Sequence, residues 1–269
     1  MNVVKFPGIG LEFSFSEIAF SIFGNEIYKY AVCIVIGIVV ALVLARLSKE
    51  KFNIDYSFLL ENSILAIIFG TIGARLYYVL FNLDYYSQNM SEIFNFRNGG
   101  LAIYGGLIFG ALAILVNCKI RKEKVLNFLD YIVPFVAIAQ AIGRFGNFFN
   151  IEAYGYETSS ILRMGIDTAS GYMEVHPTFL YSAIALLIVF IVLRIIQKNR
   201  KFEGQVLLSY CLLYSFVRAI IEGLRTDSLM WYNFRISQIL SILIFVVSLV
   251  ILIKKFMTLA KEKVNKKEE

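Results

Sequence analysis

Histidine, cysteine and proline are scarce in this chain of 269 residues, which has one His, three Cys and three Pro. Cys33, Cys118 and Cys211 each stand alone in or beside an apolar run. That pattern supports neither a disulfide framework nor a cysteine metal cluster, so no metal or organic cofactor is expected. Charge is thin as well, at 17% of residues against 58% hydrophobic. The mean hydropathy of +0.69 is too high for a soluble domain of this size. The first 27 residues carry Glu12, Glu17 and Glu26 and lack a basic start followed by an apolar core, so no cleavable signal peptide is expected. The formal charge of +6 lies mainly in short loops between apolar runs. Membrane proteins show this distribution, and nucleic acid is not expected as a partner.

What is present is length of apolar run. Runs of about 17–25 residues cross a bilayer as helices, and seven occur, near 28–45, 57–81, 101–118, 126–142, 177–196, 206–224 and 236–253. The expected fold is an all-α membrane protein with seven transmembrane helices, a single polytopic domain over 1–269. Pro134 falls inside the fourth run, where neighbouring helices can tolerate it, and Pro177 opens the fifth, where its missing N–H costs little. Lys and Arg between runs alternate in density. One side holds Lys5, Lys29, Arg97, Arg144, Arg163, Arg225 and Arg235. The other holds Arg46, Lys49, Lys51, Lys119, Arg121, Lys122, Lys124, Arg194, Lys198, Arg200 and Lys201, and the six lysines of the tail over 254–269. The count is 17 against 7. Positive loops stay in the cytoplasm, which predicts an outside N-terminus and a cytoplasmic C-terminus. The basic tail is expected to be disordered and solvated or to lie near anionic inner-leaflet lipid. Segment 143–176 is too long for a simple turn and is expected to be an outer cap, with short alternating pieces that suggest a small sheet.

With that orientation, polar groups within the runs collect at one depth. The stretch Gly143-Arg144-Phe145-Gly146-Asn147-Phe148-Phe149-Asn150-Ile151-Glu152 sits at the outer end of the fourth run. Arg75 and Tyr77 lie near the outer end of the second run. Tyr104 lies about one turn into the third, and Tyr30 at the start of the first. His176 opens the fifth. In the sixth, Tyr214, Arg218, Glu222 and Arg225 are spaced by four, four and three and share one helix face. Four arginines (Arg75, Arg144, Arg218 and Arg225) therefore gather where few cations are expected. Charged side chains near hydrocarbon are costly without a partner or ligand. An internal Arg–Glu pair accounts for part of the cluster. The excess positive charge calls for an anion, and the planar guanidinium fork suits phosphate. The glycines of Gly99-Gly100-Leu101-Ala102-Ile103-Tyr104-Gly105-Gly106 serve close helix packing or close approach to a headgroup. His176 reads as capping or packing, or as catalysis, and Tyr30 and Tyr77 as interface-belt aromatics or as ligand contacts.

The ten residues GRFGNFFNIE closely resemble the signature of the prolipoprotein diacylglyceryl transferase family. GARLYYVL at 73–80, GGLAIYGGLIFG at 99–110, HPTFLY at 176–181 and YSFVRAIIEGLR at 214–225 resemble its other motifs, in order, and Tyr30 matches a first-span tyrosine. The resemblance covers roughly residues 28 to 253. It implies transfer of a diacylglyceryl group from phosphatidylglycerol to the thiol of the cysteine that follows a prolipoprotein signal peptide, releasing glycerol 1-phosphate. It also implies the bacterial cytoplasmic membrane, with the active site toward the outer face. Many members have histidine where this chain has Tyr104, and a carboxylate is frequent where it has Ser182. A tyrosine, with a reference pKa near 10, is a poor general base at neutral pH. It can orient a headgroup by hydrogen bonding.

On this reading Arg144, Arg218 and Tyr104 are the catalytic residues. Tyr30, Arg75, Asn147, Glu152, Glu222 and Arg225, with Arg144, are expected to bind phosphatidylglycerol, and Asn150 to bind the headgroup or brace the loop. Glu152 and Glu222 accept a proton or orient an arginine, and orientation is favoured. Partners are phosphatidylglycerol, prolipoprotein signal peptides and membrane lipids. A transporter for an organic anion is the alternative function, for which Glu61 and Asn62 near the inner end of the second run would serve. A seven-span receptor or scaffold leaves the decapeptide without a purpose.

Overall fold

The computed structural model describes residues 1–48, 52–96, 99–169 and 171–268. Lys49, Lys51 and Arg97 of the charge count lie outside them, as do the side chains of Lys266 and Lys267. In chain order the helices are α1 (Lys29–Arg46), α2 (Tyr56–Leu80), the short α3 (Leu83–Tyr86), α4 (Ile103–Ile120), α5 (Val125–Phe149), α6 (Thr178–Lys198), α7 (Gln205–Glu222) and α8 (Ile236–Glu268). Among the described residues, all but α3 are long and apolar enough to cross a membrane, seven in all. A helix is the form such runs must take in lipid, because it satisfies its backbone polar groups internally.

Two of these helices outrun their expected ends. The fourth run was expected to stop at 142, but α5 continues to Phe149, so most of the decapeptide is helical. The glycines do not break it because Phe145, Phe148 and Phe149 have aromatic partners to hold the last two turns. The tail was expected to be disordered and solvated or lipid-bound, and α8 carries it as helix to Glu268.

The chain divides into two compact units, a finer organisation than one membrane domain. They are Met1–Leu47 with Leu129–Glu269, and Ser48–Phe128. In the first unit, strands β1 (Asn2–Phe6), β2 (Leu11–Phe15), β5 (Met164–Thr168) and β6 (Gly171–Val175) form an antiparallel sheet in the order β2-β1-β5-β6. Val4 pairs with Ile166 and Met164 with Val175. The N-terminal residues and the segment before α6 therefore lie together at one end of this unit. Hairpins β3–β4 (Ile18–Ile22, Asn25–Tyr28) and β7–β8 (Met230–Trp231, Phe234–Arg235) lead directly into α1 and α8. The four-stranded sheet buries Val4, Phe6, Phe15, Met164, Ile166 and Val175 together with Phe179 of α6, and Phe148 and Phe149 of α5 pack against them.

The opposite end of this unit is tied through α5. Pro134 cannot donate to the carbonyl of Asp130, which a helix would otherwise bond. Gln197 of α6 takes over: its Nε2 donates to the carbonyls of Asp130 (2.8 Å) and Tyr131 (2.9 Å). The fully buried Asp130 carboxylate accepts from the backbone N–H of Gly204 (2.7 Å) and of Leu207 (2.8 Å). It thus caps α7 from another helix, beside Arg200 at 3.2 Å.

The second unit is built on α2 against α4. A Cβ on Gly105 would lie 2.3 Å from the Gly73 carbonyl oxygen, and one on Gly73 2.3 Å from Cβ of Phe109. Gly105 of the third run therefore serves close helix packing.

Candidate active site

The decapeptide divides its labour by helix face. Phe145 and Phe148 each pack on Phe179, with ring centroids 5.9 and 5.0 Å away, and Phe149 meets Phe15 at 5.3 Å. Such pairs contribute about 0.5–1.5 kcal/mol each beyond area burial. Gly146 faces α1: a Cβ there would lie 2.7 Å from the Tyr30 ring. Arg144 and Asn147, three apart, occupy another face.

Arg144 is half-buried and has no hydrogen bond or ion pair among the described residues. It lies within electrostatic reach of Tyr214, Arg218, Arg225 and Tyr30. With Ser182 and Leu186 of α6, and Tyr214, Val217, Arg218 and Ile221 of α7, it lines a narrow niche with about 10 Å³ of room. That is about one water-sized sphere, so a headgroup enters only with side-chain movement.

The neighbouring arginines are each held. Arg218 Nη2 lies 2.7 Å from Glu222 Oε2, one turn on, and the Glu222 side chain is 2% exposed. The same Oε2 is buried without a hydrogen bond of acceptable angle. The pair is close and electrostatic, with acceptor capacity left over. Arg225 makes a bidentate pair with Asp227, at 2.9 and 2.8 Å. Burial alone would lower the Arg225 pKa, but Asp227, Glu222 and Glu152 together raise it. Against the burial of Asp227, Arg225, a backbone N–H and Arg218 together hold its carboxyl below the usual range. The backbone after the decapeptide fastens this corner: Tyr156 N–H donates to the Leu224 carbonyl (3.0 Å), and Gly155 bridges Arg225. A Cβ on Gly155 would lie 2.7 Å from Cβ of His176, so glycine is required for the approach.

Glu152 is exposed and accepts from Asn147 Nδ2 (2.6 Å) and Asn150 Nδ2 (3.5 Å). The turn that brings it there uses left-handed backbone at Ile151 and Ala153, with φ of 48° and 57°. Tyr30 lies within electrostatic reach of both Glu152 and Arg144. His176 pairs its Nδ1 with the Tyr181 hydroxyl at 3.3 Å. Tyr30, Arg144, Asn147, Glu152, Arg218, Glu222 and Arg225 thus all stand at the sheet-bearing end of the first unit.

Arg75 and Tyr104 belong to the second unit. Arg75 is 4% exposed. It donates to the carbonyls of Ile93 (2.9 Å), Gly99 and Gly100 (3.0 Å each), and also to that of Glu92. Gly99 and Gly100 present those carbonyls through left-handed backbone, with φ of 80° and 69°. The guanidinium, expected to meet a lipid phosphate, is occupied in folding a loop. Tyr104 sits half-buried in the first turn of α4. The reading of the sequence missed Asp227, whose signal was a polar Thr226-Asp227-Ser228 just past the arginine-bearing helix. Tyr214 was expected on the same helix face as Arg218, and Ser182 was expected only as the position where the family frequently has a carboxylate.

A family profile described as Prolipoprotein diacylglyceryl transferase matches residues 17–254. Relatives named Phosphatidylglycerol–prolipoprotein diacylglyceryl transferase include those of Finegoldia magna, Clostridioides difficile and Listeria monocytogenes. The first is 42% identical over 239 residues, 88% of this chain and 95% of the relative. The second is 45% identical over 227 residues, 84% and 90%. The third is 40% identical over 244 residues, 88% of each.

Proposed function

The chain belongs to the prolipoprotein diacylglyceryl transferase family, and from that premise we propose how its residues carry out diacylglyceryl transfer. The enzyme is a transferase acting on phosphatidylglycerol and a prolipoprotein, at the first step of lipoprotein maturation. The observation that carries the mechanism is the unpaired Arg144 guanidinium within reach of Arg218. An arginine at a membrane boundary is costly without a counter-charge, and a lipid phosphate supplies one.

Arg144 binds the phosphate of phosphatidylglycerol, and Arg218 joins it while remaining braced by Glu222. The cysteine sulfur, which follows the signal peptide, attacks the diacylglyceryl carbon that bears the phosphate ester. A C–S bond forms as the C–O bond breaks, and glycerol 1-phosphate leaves with the electron pair. The thiol proton ends on the released phosphate monoester or in water. Negative charge grows on the leaving phosphate, so preorganised guanidinium groups stabilise the transition state more than the ground state. The same cations favour the thiolate, the competent nucleophile, by lowering a thiol pKa from about 8.5. Glu152 and Glu222 orient: the first is held by two asparagines, the second fixes Arg218. Asn147 braces Glu152. Arg225, tied to Asp227, adds field without a free fork. The chemistry takes place at the outer face of the bacterial cytoplasmic membrane.

Purified protein mixed with phosphatidylglycerol and a signal peptide bearing its cysteine should release glycerol phosphate in step with peptide lipidation. Replacing the lipid with phosphatidylcholine should abolish both. Release of glycerol phosphate without the peptide, at an equal rate, would make the protein a lipid hydrolase and refute the reading.

A further inference from the structure

Glu61 and Asn62, polar residues near the start of α2, take no part in the transfer chemistry. Beside Glu61 the second unit carries a groove of about 580 Å³ between α2 and α4. This is within the roughly 300–1,000 Å³ of small-molecule sites. Its walls are Leu65, Phe69, Phe109, Leu112, Ala113 and Val116. From Phe109 to Ile120 the lining runs about 16 Å along the α4 axis, close to half the roughly 30 Å hydrocarbon thickness of a bilayer. That is the acyl length of one leaflet.

The groove ends in polar groups that are not self-satisfied. Asn117 lines it, is 6% exposed, and its Nδ2 is buried with no hydrogen-bond partner among the described residues. An unpaired buried donor costs about 1–3 kcal/mol, and a native site that retains one calls for an acceptor. Nearby, Arg121 pairs with Glu61, its Nη2 at 2.7 Å, and the guanidinium has further N–H groups to offer. Lys119, Lys122 and Lys124 are exposed around it, with Glu123 the one acid among them. With Glu61 and the α2 N-cap Asp55 counted, the cations at this end of α2 and α4 still outnumber the acids, four to three.

We infer that the α2–α4 groove is a binding site for an anionic phospholipid, with one acyl chain along Leu65–Phe69 and Phe109–Val116, and the phosphate accepting from Arg121 and, once the Asn117 amide turns toward the groove, from Asn117 Nδ2. The site uses none of the residues assigned to transfer, so it stands or falls separately from that activity. The lipid belongs to the leaflet on the side of Lys119 and Arg121, the cytoplasmic one by the charge count.

The test uses the full-length protein in detergent, with phosphatidylserine and phosphatidylcholine as probes, read by native mass spectrometry. Wild type should retain a phosphatidylserine adduct and retain phosphatidylcholine less well. Asn117→Leu, which removes the donor, should weaken the adduct by about tenfold, the least expected for a lost hydrogen bond to a charged group. Ala113→Trp, which fills the groove, should abolish it. Asn117→Leu should also match or exceed the wild-type lipid-free melting temperature while losing the rise that phosphatidylserine gives the wild type. Equal retention of the two lipids, or adducts on Asn117→Leu matching wild type, would overturn the inference. Should Ala113→Trp fail to fold, Asn117→Leu decides alone.

Discussion

Arg144 and Arg218 carry the same charge in opposite circumstances. Arg144 has no partner among the described residues, whereas Arg218 sits against a buried Glu222. Substitution should separate them by stability alone. Arg144→Ala removes an unpaired, half-buried cation, so its melting temperature should match or exceed wild type. Arg218→Ala strands the Glu222 carboxylate, and breaking such a pair costs roughly 3–5 kcal/mol, less here because Arg218 keeps 21% exposure. Thermal unfolding in detergent checks both. Equal losses in the two variants would mean that Arg144 is itself structurally paired. The residue types of this site were legible, since Tyr214, Arg218, Glu222 and Arg225 fall on one face by spacing. The occupation of Arg75 was not legible. Its acceptors are main-chain carbonyls, two of them presented by Gly99 and Gly100 in left-handed backbone, and no side-chain pattern announces them.

At the scale of elements, α5 shows what periodicity conveys and what it hides. Seven apolar runs were readable because lipid forces each into a helix. The end of α5 was misjudged because Gly143, Arg144, Gly146 and Asn147 look like a helix terminus. What prolongs the helix is a cluster of aromatic residues distant in sequence: Phe15 from β2 and Phe179 from α6. The two glycines should therefore respond differently. Nothing lies within 4 Å of a Cβ at Gly143, so Gly143→Ala should stabilise by up to about 1 kcal/mol through helix propensity. Gly146→Ala would press on the Tyr30 ring at 2.7 Å and should lower the melting temperature. A reversed order would contradict the α1–α5 contact. The strands were hard to foresee for a related reason, because β1 pairs with β5 from more than half the chain away.

For the whole molecule, the sheet joins the N-terminus and the segment before α6 at one end of the first unit, and the Asp130–Gln197–Gly204 junction marks the other end of the same unit. Charge counting assigns the first to the outside. An impermeant maleimide should label Ser159→Cys, exposed near the sheet, in intact cells, and Lys201→Cys only after permeabilisation. The reverse pattern would invert the topology. The central claim is that one unpaired guanidinium grips the lipid phosphate as it departs. It is tested most directly by the steady-state transfer rate of purified Arg144→Ala, with phosphatidylglycerol and a cysteine-bearing signal peptide. Loss of one preorganised electrostatic donor costs about 10²–10³ in rate, so the variant should transfer at least about a hundredfold more slowly while remaining folded. A folded Arg144→Ala protein that lipidates the peptide at the wild-type rate would contradict the account.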